Sequence, residues 1–272
     1  DDQAAQTLDF LLETDVDAAA SIIANLDTQQ AASIIATGVL EASEVATVLQ
    51  SGSIEADRIA SLIQTGTIDA DFLGEILQSE NLADDKAAQI LRSEEVEIST
   101  LATALQSESI TADRVATLLN QADLTSDRAA EILASDELKV SKGADILESA
   151  SLTVERSAAL LQSAKIGAVK AAEILDSATV SADRAAEIFN QANLTSEKAA
   201  EILAAAALDV NKGAAILESD NLVGGKGAAL LQSDQLQATR AAEILDSDQI
   251  GSAKAAEIVD QVVLTAEKAA AI

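Results

Sequence analysis

Apolar and polar residues recur with a 14-residue period from Ala36 to the end of the chain. Counting Ala36 as position 1, position 5 is Leu, Ile or Val in all seventeen units, the last of which is one residue short. Position 11 is Ala in every unit except the one with Gly74, and positions 13 and 14 are mostly an aliphatic pair such as Ile202–Leu203. A short period repeated this often is typical of a solenoid, in which each repeat packs only on its neighbours.

Each unit predicts one short amphipathic helix and a connection. On an α-helix, positions 7, 10, 11 and 14 fall within about 100° of one another, and positions 8, 9 and 12 fall opposite. Two helix starts are open, because Thr or Ser at position 6 and Asp at position 8 can both cap a helix. Gly38, Gly52 and Gly66, all at position 3, lie where the C-terminus of a helix favours a left-handed residue.

The predicted fold is an all-α solenoid of about seventeen single-helix repeats with an irregular N-terminal cap. Helices this short need neighbours to be stable. No 28-residue alternation is visible, so we expect every helix to occupy an equivalent place in a single-helix spiral. The pair Ile22–Ile23 precedes Ile34–Ile35 with a spacing two positions shorter than the repeat. We therefore interpret residues 1–35 as capping helices and residues 36–272 as the repeat array.

A longer 70-residue period, equal to five units, overlies the array. Asn120–Leu133 matches Asn190–Leu203 at 11 of 14 positions, but it matches its neighbour Ala134–Leu147 at only 4. The same spacing separates the three glutamines that replace the usual Ser or Thr at position 2, namely Gln121, Gln191 and Gln261. Two explanations are open: recent duplication of a five-unit block, or a spiral that returns into phase every five helices.

The charge of the chain is strongly acidic, with 46 acidic and 17 basic residues and a net charge of −29. This balance disfavours partners with phosphate backbones and anionic membrane surfaces. No apolar run approaches the roughly 18 residues of a membrane span. Fourteen of the basic residues occupy position 9, while acidic residues occupy position 8 in nine units and position 12 in eight. We expect a solvated ladder of salt bridges; the alternative is a lateral surface that meets complementary columns on another copy.

The residue types leave little scope for catalysis. Without His, Cys or Tyr, general acid–base chemistry is restricted to carboxylates and Lys, and disulfides are excluded. The acids recur in columns, whereas a catalytic carboxylate pair is unique. Gly224–Gly227 lacks the strand-to-helix context of a phosphate loop, so we interpret it as an irregular helix start. We predict a non-enzymatic protein with no catalytic, cofactor-binding or metal-binding residue.

Two minor alternatives concern polar groups in the connections. The segments Asp246–Asp248 and Ser219–Asn221 offer oxygen ligands for Ca²⁺, although they lack the spacing of a calcium-binding loop. Thirteen units carry Ser or Thr at position 2, and a regular array of hydroxyls is one way to bind ice or a mineral lattice. The ordinary role for these hydroxyls is to satisfy free carbonyls at helix ends.

The sub-pattern A-A-E-I-L at Ala199–Leu203 resembles the helical repeats in the N-terminal domain of MgtE-type magnesium transporters and those of the flagellar switch protein FliG. The resemblance implies a tight right-handed superhelix of short helices, and it transfers no functional residue. Repeats of those families typically have proline at the helix start, whereas this chain has no proline.

These observations favour a structural role. We expect an extracellular or cell-surface rod, filament subunit or adhesin stalk that self-associates through the apolar edge at Ala269–Ile272. The chain begins at Asp1 without Met or a signal peptide, so we expect a processed or excised chain, which hints at export. The alternative is a scaffold that binds a protein or peptide, but such a groove should have varied and partly aromatic positions.

Overall fold

The structure, a computed structural model, describes residues 2–261 and contains nineteen α-helices and no β-strand in that range. The helices belong to two compact units, residues 1–139 and 140–272. The helices of the first unit are α1 Asp2–Leu12, α2 Val16–Asn25, α3 Thr28–Ile35, α4 Ala42–Gln50, α5 Ala56–Gln64, α6 Ala70–Gln78, α7 Asp84–Arg92, α8 Ile98–Gln106, α9 Ala112–Leu119 and α10 Ser126–Ala134. Those of the second unit are α11 Val140–Glu148, α12 Val154–Gln162, α13 Ala168–Asp176, α14 Ala182–Phe189, α15 Ser196–Ala204, α16 Val210–Glu218, α17 Gly224–Gln232, α18 Ala238–Leu245 and α19 Ser252–Asp260.

The helices follow the repeat of the sequence, which confirms the predicted all-α repeat fold. From α3 onwards each helix starts one full repeat after the previous one, from Thr28 to Ser252, and each is eight or nine residues long. The register therefore begins with α3, inside the segment 1–35 that we assigned to the cap. The shortened connection lies before α3, because Val16 at the start of α2 is two positions closer to Thr28 than a full repeat. In this segment α1 packs on α2, α3 and α4.

Position 6 is the residue that caps the helices. The Thr125 hydroxyl accepts a hydrogen bond from the Arg128 backbone N–H at 3.2 Å, and Asp127 at position 8 lies in the first turn of the helix. Among the three glycines at position 3, Gly38 and Gly66 have positive φ angles of 75° and 71°, as predicted. The prediction was wrong for Gly52, whose φ is not positive.

Within each unit, the helices from α2 onwards pack mainly against the helix two places along the chain. In the first unit α4 packs on α6 and α5 on α7; in the second, α13 packs on α15 and α14 on α16. Odd-numbered and even-numbered helices make the same contacts, which agrees with the absence of a 28-residue alternation in the sequence.

The buried core consists of positions 5, 10, 11, 13 and 14. In the repeat Asn190–Leu203, the side chains Leu194, Ala199, Ala200 and Ile202 are completely buried, as is Leu203. Alanine at positions 10 and 11 permits close approach of the helix two places along the chain. Within residues 2–261, no helix combines the length and apolarity that crossing a membrane requires.

Candidate functional site

The basic residues at position 9 form hydrogen bonds with backbone carbonyls of an earlier turn of the solenoid. Arg128 is representative: its Nε donates to the Leu91 carbonyl at 3.2 Å, and its Nη2 donates to the carbonyls of Ser93 and Val96 at 2.7 and 2.6 Å. These carbonyls lie at the C-terminus of α7 and in the following connection. A helix C-terminus leaves carbonyls unpaired and attracts positive charge, so the guanidinium satisfies both needs.

The same contact recurs along both units with a constant separation of 32 residues. The donor–acceptor pairs are Arg58–Leu26, Lys86–Ile54, Arg114–Leu82, Arg128–Val96, Arg184–Leu152, Lys198–Ile166, Lys212–Val180, Lys226–Leu194, Arg240–Leu208 and Lys254–Leu222. Because the partners belong to successive turns, each bond connects one turn to the next.

The prediction of a solvated charge ladder was therefore wrong for the basic column. The side chain of Arg184 is only 12% exposed and that of Arg240 only 17%. Their carboxylate contacts at position 12 are within the same helix, at 3.8 Å to Glu187 and 3.6 Å to Glu243. The aliphatic parts of these side chains pack against the protein, and the charged groups at their ends reach the backbone carbonyls. The acidic partners remain at the surface.

A second column of inter-turn bonds caps the helix starts. The acceptor is a side-chain oxygen at position 1, in the last turn of a helix. It accepts a hydrogen bond from the backbone N–H of the position-6 residue that lies 33 residues later in the chain. Both amides and carboxylates serve: Gln162 accepts from Thr195 at 2.8 Å, and Asp176 accepts from Asp209 at 2.7 Å. The other pairs are Gln50–Ala83, Gln64–Glu97, Gln78–Thr111, Gln106–Lys139, Glu148–Ser181 and Glu218–Gly251.

The inter-turn separations bear on the 70-residue period. The side-chain hydrogen bonds between turns join residues 30 to 38 positions apart, which lies between two repeats and three. A turn of 35 residues, the separation of Arg128 from Ser93, makes the longer period equal to two whole turns. Gln121 and Gln191 each donate to the carbonyl four residues earlier at 3.3 Å, a local bond that duplication and a spiral returning into phase both produce. Both explanations of the longer period therefore stay open.

The serine hydroxyls at position 2 shape the connections. The Ser163 hydroxyl accepts the backbone N–H of Lys165 at 3.1 Å, and the Ser219 hydroxyl accepts that of Asn221 at 3.2 Å. The predicted role, in which a position-2 hydroxyl satisfies a carbonyl at a helix end, is confirmed for two threonines, since Thr37 donates to the Ile34 carbonyl at 2.9 Å and Thr65 to the Leu62 carbonyl at 2.7 Å. The bond that the serines accept from a backbone amide was not predicted. Ser163 and Ser219 are each 7% exposed, so this column does not present the open hydroxyl array that lattice binding needs.

Burial lowers the pKa of several of these cations. Desolvation lowers the pKa of Lys212, and the nearby carboxylates of Asp176 and Glu148 oppose the shift. Desolvation likewise lowers the pKa of Lys226, opposed by Glu197, and the pKa of Arg156. The ammonium groups of Lys212 and Lys226 are thus partly removed from water, and they donate hydrogen bonds to backbone carbonyls instead.

The segments considered for ligand binding take structural roles. Gly224 opens α17, and Lys226 within the G-G-K-G segment donates to the Leu194 carbonyl at 2.6 Å. Near Asp246–Asp248, the Ser247 hydroxyl donates to Asn211 Oδ1 at 2.9 Å. Across residues 2–261 no three acidic side chains converge as a metal site would require. The apolar edge predicted at Ala269–Ile272 lies outside the described residues.

Three repeats of the array lack a basic residue at position 9, which is Glu44 in α4, Phe72 in α6 and Thr100 in α8. The departures at Phe72 and Thr100 each coincide with a different turn. The connections that correspond to their acceptor segments contain Gly38 and Gly66, the glycines with positive φ within residues 2–261. In these turns the preceding threonine also bonds a helix carbonyl, as Thr65 does with the Leu62 carbonyl at 2.7 Å. A turn that satisfies its own carbonyls does not need the cation.

Sequence reasoning missed these inter-turn bonds, although a signal for them exists. Arg128 at position 9 and Ser93 at position 2 show the relevant separation of 35 residues. Thr37–Gly38 and Thr65–Gly66 are the two Thr-Gly pairs at positions 2 and 3, and the residue 35 positions after each threonine is not basic. By contrast, the residue 35 positions after Ser51, in the Ser-Gly pair Ser51–Gly52, is Lys86. Comparing positions about two and a half repeats apart therefore identifies residues in contact.

Comparison of the chain with protein-family models, curated proteins and solved structures found no match. The resemblance to the MgtE and FliG repeats therefore depends on the A-A-E-I-L pattern and the helical architecture. It adds no residue role to the site.

Proposed function

We propose that this chain is a structural, non-enzymatic solenoid, used as a rod, a filament subunit or the stalk of an adhesin outside the cell or on its surface. The observation that supports the proposal is the constant 32-residue contact of position 9 with backbone carbonyls. Ten described repeats use a charged side chain to join adjacent turns. Such uniform bonding distributes load along the chain, which suits a spacer.

Self-association is part of the proposal. Adjacent turns join through two different surfaces. One surface has the side-chain donors of position 9 or the side-chain acceptors of position 1, and the other has the backbone carbonyls or N–H groups that they bind. Heterologous contacts of this kind can continue from one copy to the next. The acidic residues at positions 8 and 12 oppose such contacts at low salt, and salt screens them. We therefore expect assembly to increase with ionic strength.

The experiment is electron microscopy and light scattering over a range of protein concentrations and of salt. Elongated assemblies whose length increases with concentration and salt are the expected result. A particle that stays monomeric under all conditions would contradict the filament and leave only the rod or stalk.

A scaffold that binds a protein segment is the second candidate function. One local feature favours it, the pocket beside Phe72, where the uniform pattern of Ala and charge is interrupted.

A further inference from the structure

A small surface pocket lies beside Phe72 in the first unit. It has a volume of about 150 Å³ and is lined by Ile35, Ala36, Gly38, Thr67, Asp69 and Phe72. The ring of Phe72 is half-buried, while Asp69 is exposed. The pocket thus combines an aromatic ring, a carboxylate and the C-terminal end of α3.

The pocket corresponds to the place that a cation occupies in the regular repeats. Phe72 is at position 9, and Ile35 in the pocket stands in the same relation to it as Leu91 does to Arg128. In that regular repeat the guanidinium donates to the Leu91 carbonyl at 3.2 Å. Phenylalanine cannot donate such a bond, and in this turn the Thr37 hydroxyl donates to the Ile34 carbonyl at 2.9 Å instead. The space that a cation fills in the regular repeats is therefore lined here by the ring and by Asp69.

The groups at the pocket favour a positively charged ligand. The face of an aromatic ring attracts a guanidinium or ammonium group, most strongly where water is partly excluded. Asp69 Oδ1 accepts the Phe72 backbone N–H at 2.7 Å, which orients the carboxylate beside the ring. The C-terminal end of a helix adds partial negative charge.

We infer that this pocket binds the side chain of an arginine from a partner protein segment, through the ring of Phe72 and the carboxylate of Asp69. Arginine fits better than lysine, because its planar head stacks on a ring while it donates to a carboxylate. The inference concerns a local site and holds whether or not the chain forms filaments.

The test uses the full chain with its phenylalanines replaced by 4-fluorophenylalanine. The three phenylalanines give one ¹⁹F resonance each: Phe72 at the pocket, Phe189 in the core and Phe10 at the surface as internal references. The chain is titrated at about 0.15 M salt, which limits long-range attraction to the acidic surface. The probes are an acetyl-Gly-Arg-Gly-amide peptide, the same peptide with citrulline, and spermidine.

We expect the arginine peptide to shift the Phe72 resonance saturably, leaving Phe10 and Phe189 unchanged. Citrulline has the shape of arginine without the charge, so it should bind at least about tenfold more weakly. An equal response to citrulline, or no response to the arginine peptide, would overturn the inference. A response to spermidine alone would overturn the assignment to an arginine side chain.

Three variants check the site by saturation-transfer NMR on the peptide. Phe72→Thr copies the Thr100 repeat and keeps the net charge, so any binding it retains is non-specific. Phe72→Lys restores the internal cation of the other repeats and should abolish binding without harming the fold. Asp69→Asn keeps a capping side chain but removes the charge, and should weaken binding by at least about threefold. Unchanged affinity in Phe72→Thr and Phe72→Lys would disprove the site.

Discussion

Arg128 Nη2 lies 2.6 Å from the carbonyl oxygen of Val96, a residue in an earlier turn of the same unit. The separation of 32 residues recurs for Arg184 and Leu152 in the second unit. A long-range bond of this kind connects repeats that share no local sequence, and it turns the basic column into an internal part of the solenoid.

Replacing Arg128 by Gln should therefore destabilise the chain. Loss of the guanidinium leaves the carbonyls of Leu91, Ser93 and Val96 without their donor, at a cost of about 1–3 kcal/mol in the free energy of unfolding. The control is Arg92→Met, which removes the same charge from an exposed residue at position 1 without adding a side-chain oxygen there, and should change stability by less than about 0.5 kcal/mol. Urea titrations followed by circular dichroism provide the comparison. Equal effects of the two substitutions would mean that net charge, and not the carbonyl contact, matters.

Gln162 should stabilise the folded chain through its side-chain amide oxygen. Gln162→Ala removes the acceptor for the Thr195 N–H, and we expect the free energy of unfolding to fall by about 0.5–1.5 kcal/mol. Gln162→Glu should retain most of this stability, because Glu148 accepts a hydrogen bond from the Ser181 N–H at 3.0 Å at the equivalent place in another repeat. The same urea titration distinguishes the variants. A Glu variant as unstable as the Ala variant would argue against the capping role.

Adding a missing acceptor should stabilise the chain. Ala204 occupies position 1, and the position 6 that it would cap is Gln237, which begins α18 without a side-chain cap. Ala204→Gln should raise the free energy of unfolding by about 0.5–1 kcal/mol. Ala206→Gln, at an exposed position of the same connection, is the matched control and should have no effect. Thermal melts of the two variants would show the difference, and equal melting temperatures would contradict the geometry.

Gly74 is needed for close packing of α6 on α8. A Cβ at this residue would lie 2.9 Å from the Ala104 carbonyl oxygen and 3.1 Å from Ser107 Cβ. Although alanine favours helix by about 1 kcal/mol, Gly74→Ala should lower the free energy of unfolding by about 1–2 kcal/mol. At Gly213 a Cβ would meet Ile244 Cδ1 at 3.4 Å, an ordinary contact, so Gly213→Ala should be neutral or stabilising. A stabilising Gly74→Ala would show that the two helices can separate without cost.

Lys212 should make the free energy of unfolding depend on pH in the alkaline range. Burial lowers its pKa in the folded chain, so the unfolded chain holds the proton more tightly. Between the folded-state pKa and the usual value of 10.5, unfolding takes up a proton, and the free energy of unfolding rises with pH. Arginine does not titrate in this range. The stability of the native chain relative to Lys212→Arg should therefore increase towards about pH 10.5, as measured by urea titration. A flat or falling difference would contradict the desolvation of Lys212.

The N-terminal segment shows how one shortened connection affects the inter-turn bonds. Arg58 reaches the Leu26 and Ile23 carbonyls, yet its buried Nε has no partner among the described residues. In later repeats this nitrogen donates to the last turn of an earlier helix, as Arg114 does to the Leu77 carbonyl at 2.9 Å. For Arg58 the residue at the same separation is Ser21, inside α2, because the connection before α3 is shortened.

By itself the sequence determined the all-α repeat, its 14-residue register and the core positions, because the spacing of apolar residues dictates which face of a short helix must be buried. It also identified Leu194 and Ile202 as core residues and position 6 as one of two possible caps. Only the tertiary structure decided that Arg128 and Lys226 contact backbone carbonyls, and that Gln162 caps the helix that begins after Thr195. The same pattern of charges is compatible with a solvated ladder of salt bridges. Whether a basic side chain stays in water or bonds a backbone carbonyl depends on which part of the neighbouring turn lies next to it. That distance, near two and a half repeats, arises from how the helices stack and cannot be deduced from any single repeat.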